Sequence, residues 1–384
     1  MSFTGKATYS AGSTLPELAE DVSDLVGIVA PFETPLLDAL GDPLRAATNT
    51  RHEWLEDALL PNTTSINQPG LDDSGLGTAT VTFADASCRV GDLIQVPTLR
   101  EVMLVTAVNG NQVTITRGYG GTAKKALTNG AAIQILGNAA LEGDAAGAPR
   151  FSTRVRKSNF TQIFSAAISV SGTEAAVRQT AVKDEMDYQK QLRLRELLRD
   201  LENTVINGVA PAATPEGSAT VRRTMRGVLR SIVSNTFTPG VGGFSTDTQL
   251  TDEQLNQALR HTWETSGARP DLIVVSGCQK RRINSFITST QRFSIDTEVY
   301  KKLVSVYESD YGTCRVLLSR YVPVDAVLLL DSTRISVLPL SGRSFHFKPL
   351  ASTGDYDTGE LIGEYTTEFR NENAHAVIRG LDAA

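Results

Sequence analysis

Apolar and polar positions at the start of the chain do not follow one sustained period. Residues 1–48 begin with a polar stretch rich in Ser, Thr and Gly and continue into "LVGIVAPFETPLLDALG". Pro31 and Pro35 divide this apolar run into short pieces, since proline interrupts a helix. The segment cannot close a core alone, so we predict an arm that lies across another surface.

The pattern changes to strand-like alternation in residues 81–137. Here "VMLVTAV", Asn109-Gly110 and "QVTITR" follow one another, and Asn-Gly is a strong signal for a tight turn between two strands. "VGDLIQV" before this hairpin and "GAAIQIL" after it predict further short strands. We expect a small β domain here, a barrel or a sandwich.

Extended segments border this region on both sides. Residues 49–80 contain "RHEWLEDALL", in which charged and apolar side chains alternate, and residues 138–170 contain "RVRKSNFTQIFSAAISV". Such alternation is typical of strands.

A long helix is predicted at residues 172–207. Ser171 and Glu174 form a capping-box pattern, Asn207-Gly208 is a stop signal, and no proline or glycine lies between Gly172 and Gly208. The apolar stripe of its second half predicts packing on a flat surface rather than a free coiled coil.

The last third of the chain predicts a mixed α/β region. A helix beginning after Thr251 is followed by the apolar strand "LIVVSG", a helix "QKRRINSFIT", and the strands "CRVLLSRYV", "AVLLLD" and "ISVLPL". The tail alternates like strands, with a turn at "STGDYDTGE".

Charge and cysteine content narrow the function classes. The net charge is -6, so no overall basic field would hold the chain on nucleic acid. Cys88, Cys278 and Cys314 are far apart and show no metal-ligand spacing, which indicates reduced thiols. No signal-peptide core and no apolar run of membrane-spanning length is present, so we expect neither export by that route nor a membrane partner.

Three stretches invite a catalytic interpretation, and each lacks a required part. "HEWLED" has the first half of a zincin motif without the second histidine. "RGYGGTAKK" follows a hairpin strand and lacks the phosphate-loop pattern. Cys278 in "VSGCQ" has no histidine near it in sequence, and a thiol hydrolase would need the fold to supply one. We therefore predict no enzyme activity, no catalytic residue, no metal and no cofactor.

The charged residues of the two extended segments remain as candidates for contacts. A nucleic-acid groove is one reading of the basic residues, but extended, alternately charged segments suit docking against an acidic neighbouring subunit better. The predicted intersubunit contact residues are Arg51, His52, Trp54, Glu56, Arg150, Arg154, Arg156 and Lys157.

In combination, these pieces resemble the major capsid proteins of tailed bacteriophages with the Hong Kong 97 fold. "VSDLVGIVAPFETPLLDAL", "ATNTRHEWLED", "VTITRGYGGT", "SNFTQIFSAAISVSGT" and "NENAHAVIRGL" look like one branch of that family and cover nearly the whole chain.

The resemblance implies an α+β chain with the Hong Kong 97-like capsid fold. Its expected parts are an N-terminal arm (1–48), the outgoing strand of an extended loop (49–80), an inserted small β-barrel (81–137), the return strand (138–170), a peripheral domain (171–249) with a spine helix (172–207), an axial domain (250–340), and C-terminal strands that complete the peripheral domain (341–384).

The implied function is self-assembly into the icosahedral head shell around double-stranded DNA. We expect pentamers and hexamers of the chain, a separate scaffolding protein, a portal protein and a possible decoration protein as partners. DNA contacts would be non-specific, and assembly would take place in the host bacterial cytoplasm. The alternatives are a tail, baseplate or decoration protein that binds through the β domain, and a metal-dependent hydrolase. The capsid interpretation depends on one unbroken helix in this region.

Overall fold

The computed structural model describes residues 34–43, 45–70, 77–143, 145, 149–176, 184–290 and 306–383. The first 33 residues of the predicted arm lie outside this part of the chain. The α-helices are α1 (Pro35–Leu40), α2 (Gly172–Ala176), α3 (Glu185–Asn207), α4 (Val228–Ser231), α5 (Asp252–Ser266) and α6 (Gly277–Thr290). Short 3-10 helices lie at Tyr119–Gly121, Ser332–Arg334 and Glu372–Ala374.

Strands supply most of the remaining regular structure. They are β1 (Arg51–Glu56), β2 (Thr63–Ser65), β3 (Thr78–Thr82), β4 (Asp92–Gln95), β5 (Val102–Asn109), β6 (Gln112–Thr116), β7 (Ala132–Asn138), β8 (Val155–Phe160), β9 (Gln162–Ser171), β10 (Thr236–Phe237), β11 (Leu272–Val275), β12 (Val306–Ser309), β13 (Gly312–Leu318), β14 (Val327–Leu330), β15 (Ile335–Pro339), β16 (His346–Leu350), β17 (Tyr356–Phe369) and β18 (Ala376–Ile378).

The chain divides into two compact units. The β unit is Leu55–Val155, and the α/β unit consists of Met1–Trp54 and Arg156–Ala384. Along the chain, the two-stranded ribbon of β1 and β8 connects them.

The β unit is a six-stranded antiparallel sheet in the order β2-β7-β4-β5-β6-β3. Its outer strands are joined just beyond their ends by a bridge between Ile66 and Phe83, so the sheet closes on itself. Alternate side chains point inward, and Val81, Ile94 and Ile115 are among those that fill a fully buried apolar core. The sheet includes β2 and β3, so it begins before the predicted start at residue 81.

The predicted hairpin is present as β5 and β6. Asn109 pairs with Gln112, so the two turn residues are Gly110 and Asn111 rather than Asn109 and Gly110. Gly110 has φ 58°, a left-handed conformation that glycine adopts without strain.

One sheet of the α/β unit has six strands in the order β10-β18-β14-β11-β13-β12. The four apolar residues of β11 are all buried, as the continuous run predicted. Leu272 and Val274 pack in the same core as α3, while Ile273 and Val275 pack in the same core as α5. Thr251 and Gln254 cap α5 reciprocally, so this helix begins where the sequence indicated.

The second sheet of the α/β unit pairs β17 with β15, β16 and β9. β17 and β9 pair over ten residues, from Gln162 opposite Tyr365 to Ser171 opposite Tyr356. Gly359 leaves room for the ring of Phe347, because a Cβ there would lie 2.0 Å from Cζ of that ring.

Two strands pair across the predicted domain bounds. β15 lies in the predicted axial domain (250–340) but pairs with β17 in the second sheet. β18 lies among the strands expected to complete the peripheral domain (341–384) but pairs with β14 in the six-stranded sheet. Ala376, Val377 and Ile378 are all buried, and a strand that is apolar on both faces requires an interior position.

The prediction of a single helix over residues 172–207 is wrong. Helix α2 ends at Ala176, residues 177–183 lie outside the described part, and α3 begins at Glu185. Asp184 is extended (φ −141°, ψ 108°) and its carboxylate accepts the N–H of Asp187 at 3.1 Å. Aspartate favours this N-cap arrangement over a helix interior, which explains the interruption. Helix α3 is still about 35 Å long at 1.5 Å per residue.

Candidate functional site

The candidate site is the base of the β1–β8 ribbon, where most of the predicted contact residues lie. His52, from β1, has its Nε2 atom 2.6 Å from Oε2 of Glu368 in β17. An ionised carboxylate can only accept, so Nε2 carries the proton in this hydrogen bond. Within the described residues no group of three or more His, Cys, Asp or Glu side chains could hold a metal ion.

Glu368 is the centre of a charged cluster that includes His52. Its side chain is only 1% exposed, and Arg45 lies 2.5 Å and Arg370 3.3 Å from Oε1. Burial raises the pKa of Glu368, but the hydrogen bond from His52 and the charges of Arg45 and Arg370 outweigh this effect and hold the pKa below its usual value. The carboxylate is therefore ionised and satisfied by partners from other segments.

Asn159 ties the second ribbon strand, β8, to the same part of the α/β unit. Its amide donates to the carbonyl oxygens of Thr367 at 2.8 Å and Arg226 at 3.0 Å. Its oxygen accepts the N–H groups of Arg226 and Phe160. This buried amide thus uses all of its hydrogen-bonding capacity, which fixes its position.

A second buried glutamate, Glu364, lies on the same face of β17 four residues before Glu368. It accepts from Thr161 at 2.6 Å and pairs with Arg223 at 2.5 Å and Arg343 at 2.8 Å. Alternate residues of a strand share a face, so the spacing of the two glutamates was visible in "GEYTTEFR". Neither glutamate was among the predicted site residues, because nothing in its sequence neighbourhood shows which distant cations pair with it.

The predicted contact residues of the ribbon have acidic partners within their own chain. Glu53 lies 2.9 Å from Arg51 and 3.4 Å from Arg156. In the β unit, Arg154 lies 3.8 Å from Asp57. These side chains are largely exposed, so each pair contributes about 0–1 kcal/mol.

The other predicted residues have varied surroundings. The Trp54 ring lies 6.0 Å from the His52 ring, Glu56 is half-buried, and Arg150 donates to the Ser87 carbonyl oxygen at 3.0 Å. Lys157 helps to lower the pKa of Glu372, although burial acts in the opposite direction and hydrogen bonds contribute more. Contact of any of these residues with a neighbouring copy stays a prediction.

An apolar concavity lies on the β unit. Leu59, Leu60 and Phe151 line a depression of about 380 Å³ together with Asp57 and Arg150. Leu59 is 97% and Phe151 84% exposed. Large apolar side chains this exposed and this close together are typical of a surface that contacts another molecule.

A buried carboxylate also holds α1 on α3. Glu202 accepts the N–H groups of Leu36 at 3.0 Å and Leu37 at 2.9 Å, at the start of α1. Burial raises the pKa of Glu202 to about 7, although the two N–H donors act in the opposite direction.

The glycine-rich stretch after Arg117 belongs to the framework of the β unit. The Arg117 guanidinium and the Glu101 carboxylate are both fully buried and lie 2.9 Å apart. The backbone N–H of Lys125 also donates to this carboxylate. Arg117 itself donates to the carbonyl oxygen of Lys125, so the buried pair fixes the backbone at Lys125, after the glycine-rich turn.

Comparison with known proteins shows which family the chain belongs to. The family model of the SU10 major capsid protein matches residues 3–382. The chain belongs to this family. It is a shell protein of a phage head, and the family match favours this role over the tail, baseplate and hydrolase alternatives. A search of curated proteins found no match.

Solved phage structures have the same fold as this capsid protein. The capsid of Myoviridae phage XM1 has a TM-score of 0.52 at 11% identity, with 97% of this chain and 100% of that chain covered. The cyanophage A-1(L) capsid has a TM-score of 0.51 at 14% identity, with 95% and 97% covered. A chain of Gordonia phage Cozz has a TM-score of 0.50 at 11% identity, with 100% and 99% covered.

The capsid protein is mixed α/β and forms part of the virion. The family match holds although the predicted helix is interrupted, so membership of the family does not depend on one unbroken helix. Among the described helices, none is long and apolar enough to cross a lipid bilayer.

Proposed function

We propose that the protein self-assembles into a closed icosahedral shell of pentamers and hexamers that encloses double-stranded DNA. The observation that carries the proposal is the family match over residues 3–382. A closed shell of identical subunits sums many moderate contacts, so it is stable even where each contact is weak.

The parts of the chain correspond to the Hong Kong 97-like plan. The β1–β8 ribbon is the extended loop and carries the β unit as an insertion, and α3 is the spine helix. The sheet of β9 and β15–β17 belongs to the peripheral domain. The six-stranded sheet of the α/β unit belongs to the axial domain. This assignment is supported by the order of these elements along the chain.

The apolar concavity of Leu59, Leu60 and Phe151 contacts a second copy of the chain. Its residues flank the ribbon strands in sequence, where the extended loop is expected to meet a neighbour, and their exposure in one chain supports this role. The charged members of the predicted contact residues, Arg51 and Lys157 among them, form the polar rim of this contact.

Assembly in the host bacterial cytoplasm involves further partners. These partners are a separate scaffolding protein, a portal protein and a decoration protein. DNA meets the inner wall only non-specifically, because a chain with net charge −6 releases few counterions on contact with DNA.

Electron microscopy and light scattering of the expressed full-length chain, alone and with its scaffolding protein, test the assembly. We expect closed particles with five-fold and six-fold capsomers. A monomer that stays monomeric at every concentration and forms no particles in either condition would contradict the proposal.

A pair of variants tests the apolar contact. Phe151→Ser removes a ring that is 84% exposed, and we expect fewer particles with an unchanged melting temperature. Val90→Ser makes a similar change at a side chain that is 60% exposed in the same unit and lies outside the concavity, so it serves as the control. Equal particle yields for the two variants would exclude the concavity as a contact.

A further inference from the structure

Two neighbouring depressions on the α/β unit share one arginine. The first has a volume of about 330 Å³ and is lined by Arg230 and Arg379. The second has a volume of about 390 Å³ and is lined by Arg226 and Arg230. Because Arg230 lines both, we call the two depressions together the arginine groove.

The guanidinium groups of the arginine groove have no carboxylate partner in the described part of the chain. None of the ion pairs found there includes Arg226, Arg230 or Arg379. Arg223, in the same loop, is by contrast paired with the buried Glu364. The positive charge of the groove is therefore available to an anion that the described residues do not supply.

Backbone carbonyl groups orient two of these arginines. Nη2 of Arg226 donates to the carbonyl oxygen of Ser158 at 3.0 Å, and Nη2 of Arg379 donates to that of Leu229. A guanidinium carries five N–H donors, so these bonds leave most of them for a ligand. Nε of Arg379 is buried and has no hydrogen-bond partner among the described residues. A buried donor without an acceptor is unfavourable, so an oxygen ligand at this position would stabilise the chain.

The other walls of the groove indicate the kind of anion. Phe160, Val209 and Pro211 line the second depression, and Pro323 and the carboxylate of Asp325 line the first. Double-stranded DNA is a stiff rod, so it would not enter depressions of this size or reach the buried Nε atom. A peptide that carries carboxylates beside apolar side chains fits both the charge and the apolar walls.

Residues 15–26, "LPELAEDVSDLV", have this chemistry. They combine four carboxylates with five leucine or valine side chains, and no lysine or arginine occurs in residues 7–44. The segment lies outside the part of the chain that the structure describes. Its carboxylates are those of Glu17, Glu20, Asp21 and Asp24.

The attachment of α1 brings this segment within reach of the groove. Glu202 of α3 accepts N–H groups at the start of α1, so the chain enters α1 beside Glu202. Asn207, which lines the first depression, follows five residues later on α3, about 7.5 Å along the helix. The ten residues from Asp24 to Thr34 can span up to about 33 Å, so one chain can supply both the groove and its ligand.

We propose that the arginine groove is the docking site of residues 15–26 of the same chain. The carboxylates of the segment bind Arg226, Arg230 and Arg379, and its apolar side chains cover the walls of the groove. The inference goes beyond the proposed shell and does not rest on it, because it concerns the unassembled chain. It gives the acidic part of the N-terminal arm a fixed place beside α1 and α3.

Cleavage of the unassembled full-length chain by a glutamate-specific protease tests the docking. A bound segment is shielded, so the bonds after Glu17 and Glu20 should be cut roughly 10-fold more slowly in the chain than in a free peptide of residues 12–29. Arg230→Glu should raise the cleavage rate roughly 5-fold. Its melting temperature should not change, because Arg230 is exposed. Mass spectrometry of the released fragments gives the rates.

Arg222→Glu is the matched control. Arg222 lies in the same loop and is exposed like Arg230, but it lines neither depression, so this variant should be cut at the wild-type rate. Asp21→Lys and Asp24→Lys, introduced together into Arg230→Glu, should restore part of the slow cleavage, because opposite charges face each other again. Each rate is divided by that of the free peptide with the same sequence.

Four outcomes would overturn the proposal. Two are equal rates in Arg230→Glu, Arg222→Glu and wild type, and wild-type cleavage as fast as that of the free peptide. Protection that increases with chain concentration would assign the bound segment to a second copy. No recovery in the triple variant would show that charge pairing does not hold the segment. Equal cleavage rates together with Arg230-dependent binding of a short DNA duplex, measured by gel shift, would make the groove a phosphate site instead.

Discussion

In the β unit, strands pair with partners close along the chain: Asn109 faces Gln112, and even the most distant pair joins Thr63 to Gln134. In the α/β unit, Gln162 faces Tyr365 and Thr236 faces Val377. Closing a long loop costs more conformational entropy than closing a short one, and it must be completed before distant contacts form. The two units therefore differ in the reach of their strand pairing, because the α/β unit combines local pairs, such as Ser309 with Gly312, with pairs between segments far apart along the chain.

Buried charge shows the same difference. Among the described residues of the β unit, Glu101 is buried against an arginine 16 residues away, and Asp92 is buried against Arg89 and Asn138, the latter 46 residues away. The α/β unit buries Glu202, Glu364 and Glu368, and each binds groups far away in sequence. Such carboxylates specify which segments meet, because an unpaired buried charge is strongly unfavourable.

The largest expected effect is that the β unit folds without the rest of the chain. Residues 55–155 expressed alone should unfold cooperatively in urea, because the sheet closes within this segment and encloses its own core. Circular dichroism and fluorescence should give coincident transitions. Absence of a cooperative transition would contradict the conclusion that the β unit is held together by contacts within its own segment. The reciprocal chain, with residues 57–153 replaced by a short linker, should retain the α/β unit.

Removal of one partner of the buried Glu101–Arg117 pair should have the next largest effect on stability. We expect Glu101→Ala to lower the free energy of unfolding by about 3–5 kcal/mol, because it leaves the fully buried Arg117 without its countercharge. The double variant Glu101→Leu/Arg117→Leu should recover part of this loss. Urea unfolding of the isolated β unit measures both, and a double variant less stable than Glu101→Ala would contradict the explanation.

Glu202 should give a pH-dependent effect in the α/β unit. Its pKa of about 7 in the folded chain lies above the ordinary value of 4.5, so the folded state binds more protons between these values. The stability contribution of this group is therefore fully present below pH 4.5 and is lost as pH rises toward 7, by at most about 3 kcal/mol. Glu202→Gln should abolish this slope. Identical pH dependence in the variant and the wild type, measured by chemical unfolding, would contradict the raised pKa.

The smallest effect is expected at an exposed ion pair of the β unit, just beyond the ends of the ribbon strands. Arg154 is 71% exposed and its pair with Asp57 is 3.8 Å long, so Arg154→Ala should change stability by less than about 1 kcal/mol. Thermal unfolding measures this change. A larger loss of stability would mean that exposed ion pairs contribute as much as buried ones, and the distinction between buried and surface pairs would fail.

Local signals predicted several elements well. The capping box at Thr251, the all-apolar strand β11 and the hairpin of β5 and β6 follow from residues within a few positions of each other. The interruption at Asp184 was missed, because the absence of proline and glycine outweighed the capping tendency of aspartate in the prediction. The charged ribbon residues are predicted to contact a neighbouring copy. Their ion pairs within the chain, such as Arg156 with Glu53, could not be predicted, because they depend on which strand lies opposite.

The sequence by itself determined the local framework and the family: where most helices and strands form, and that their combination resembles a phage capsid protein. The tertiary structure decided which sheet receives β15 and β18, and which cations cover Glu364 and Glu368. The physical reason is that backbone preference and burial pattern act over a few residues, whereas the partner of a buried carboxylate is selected only when distant segments meet.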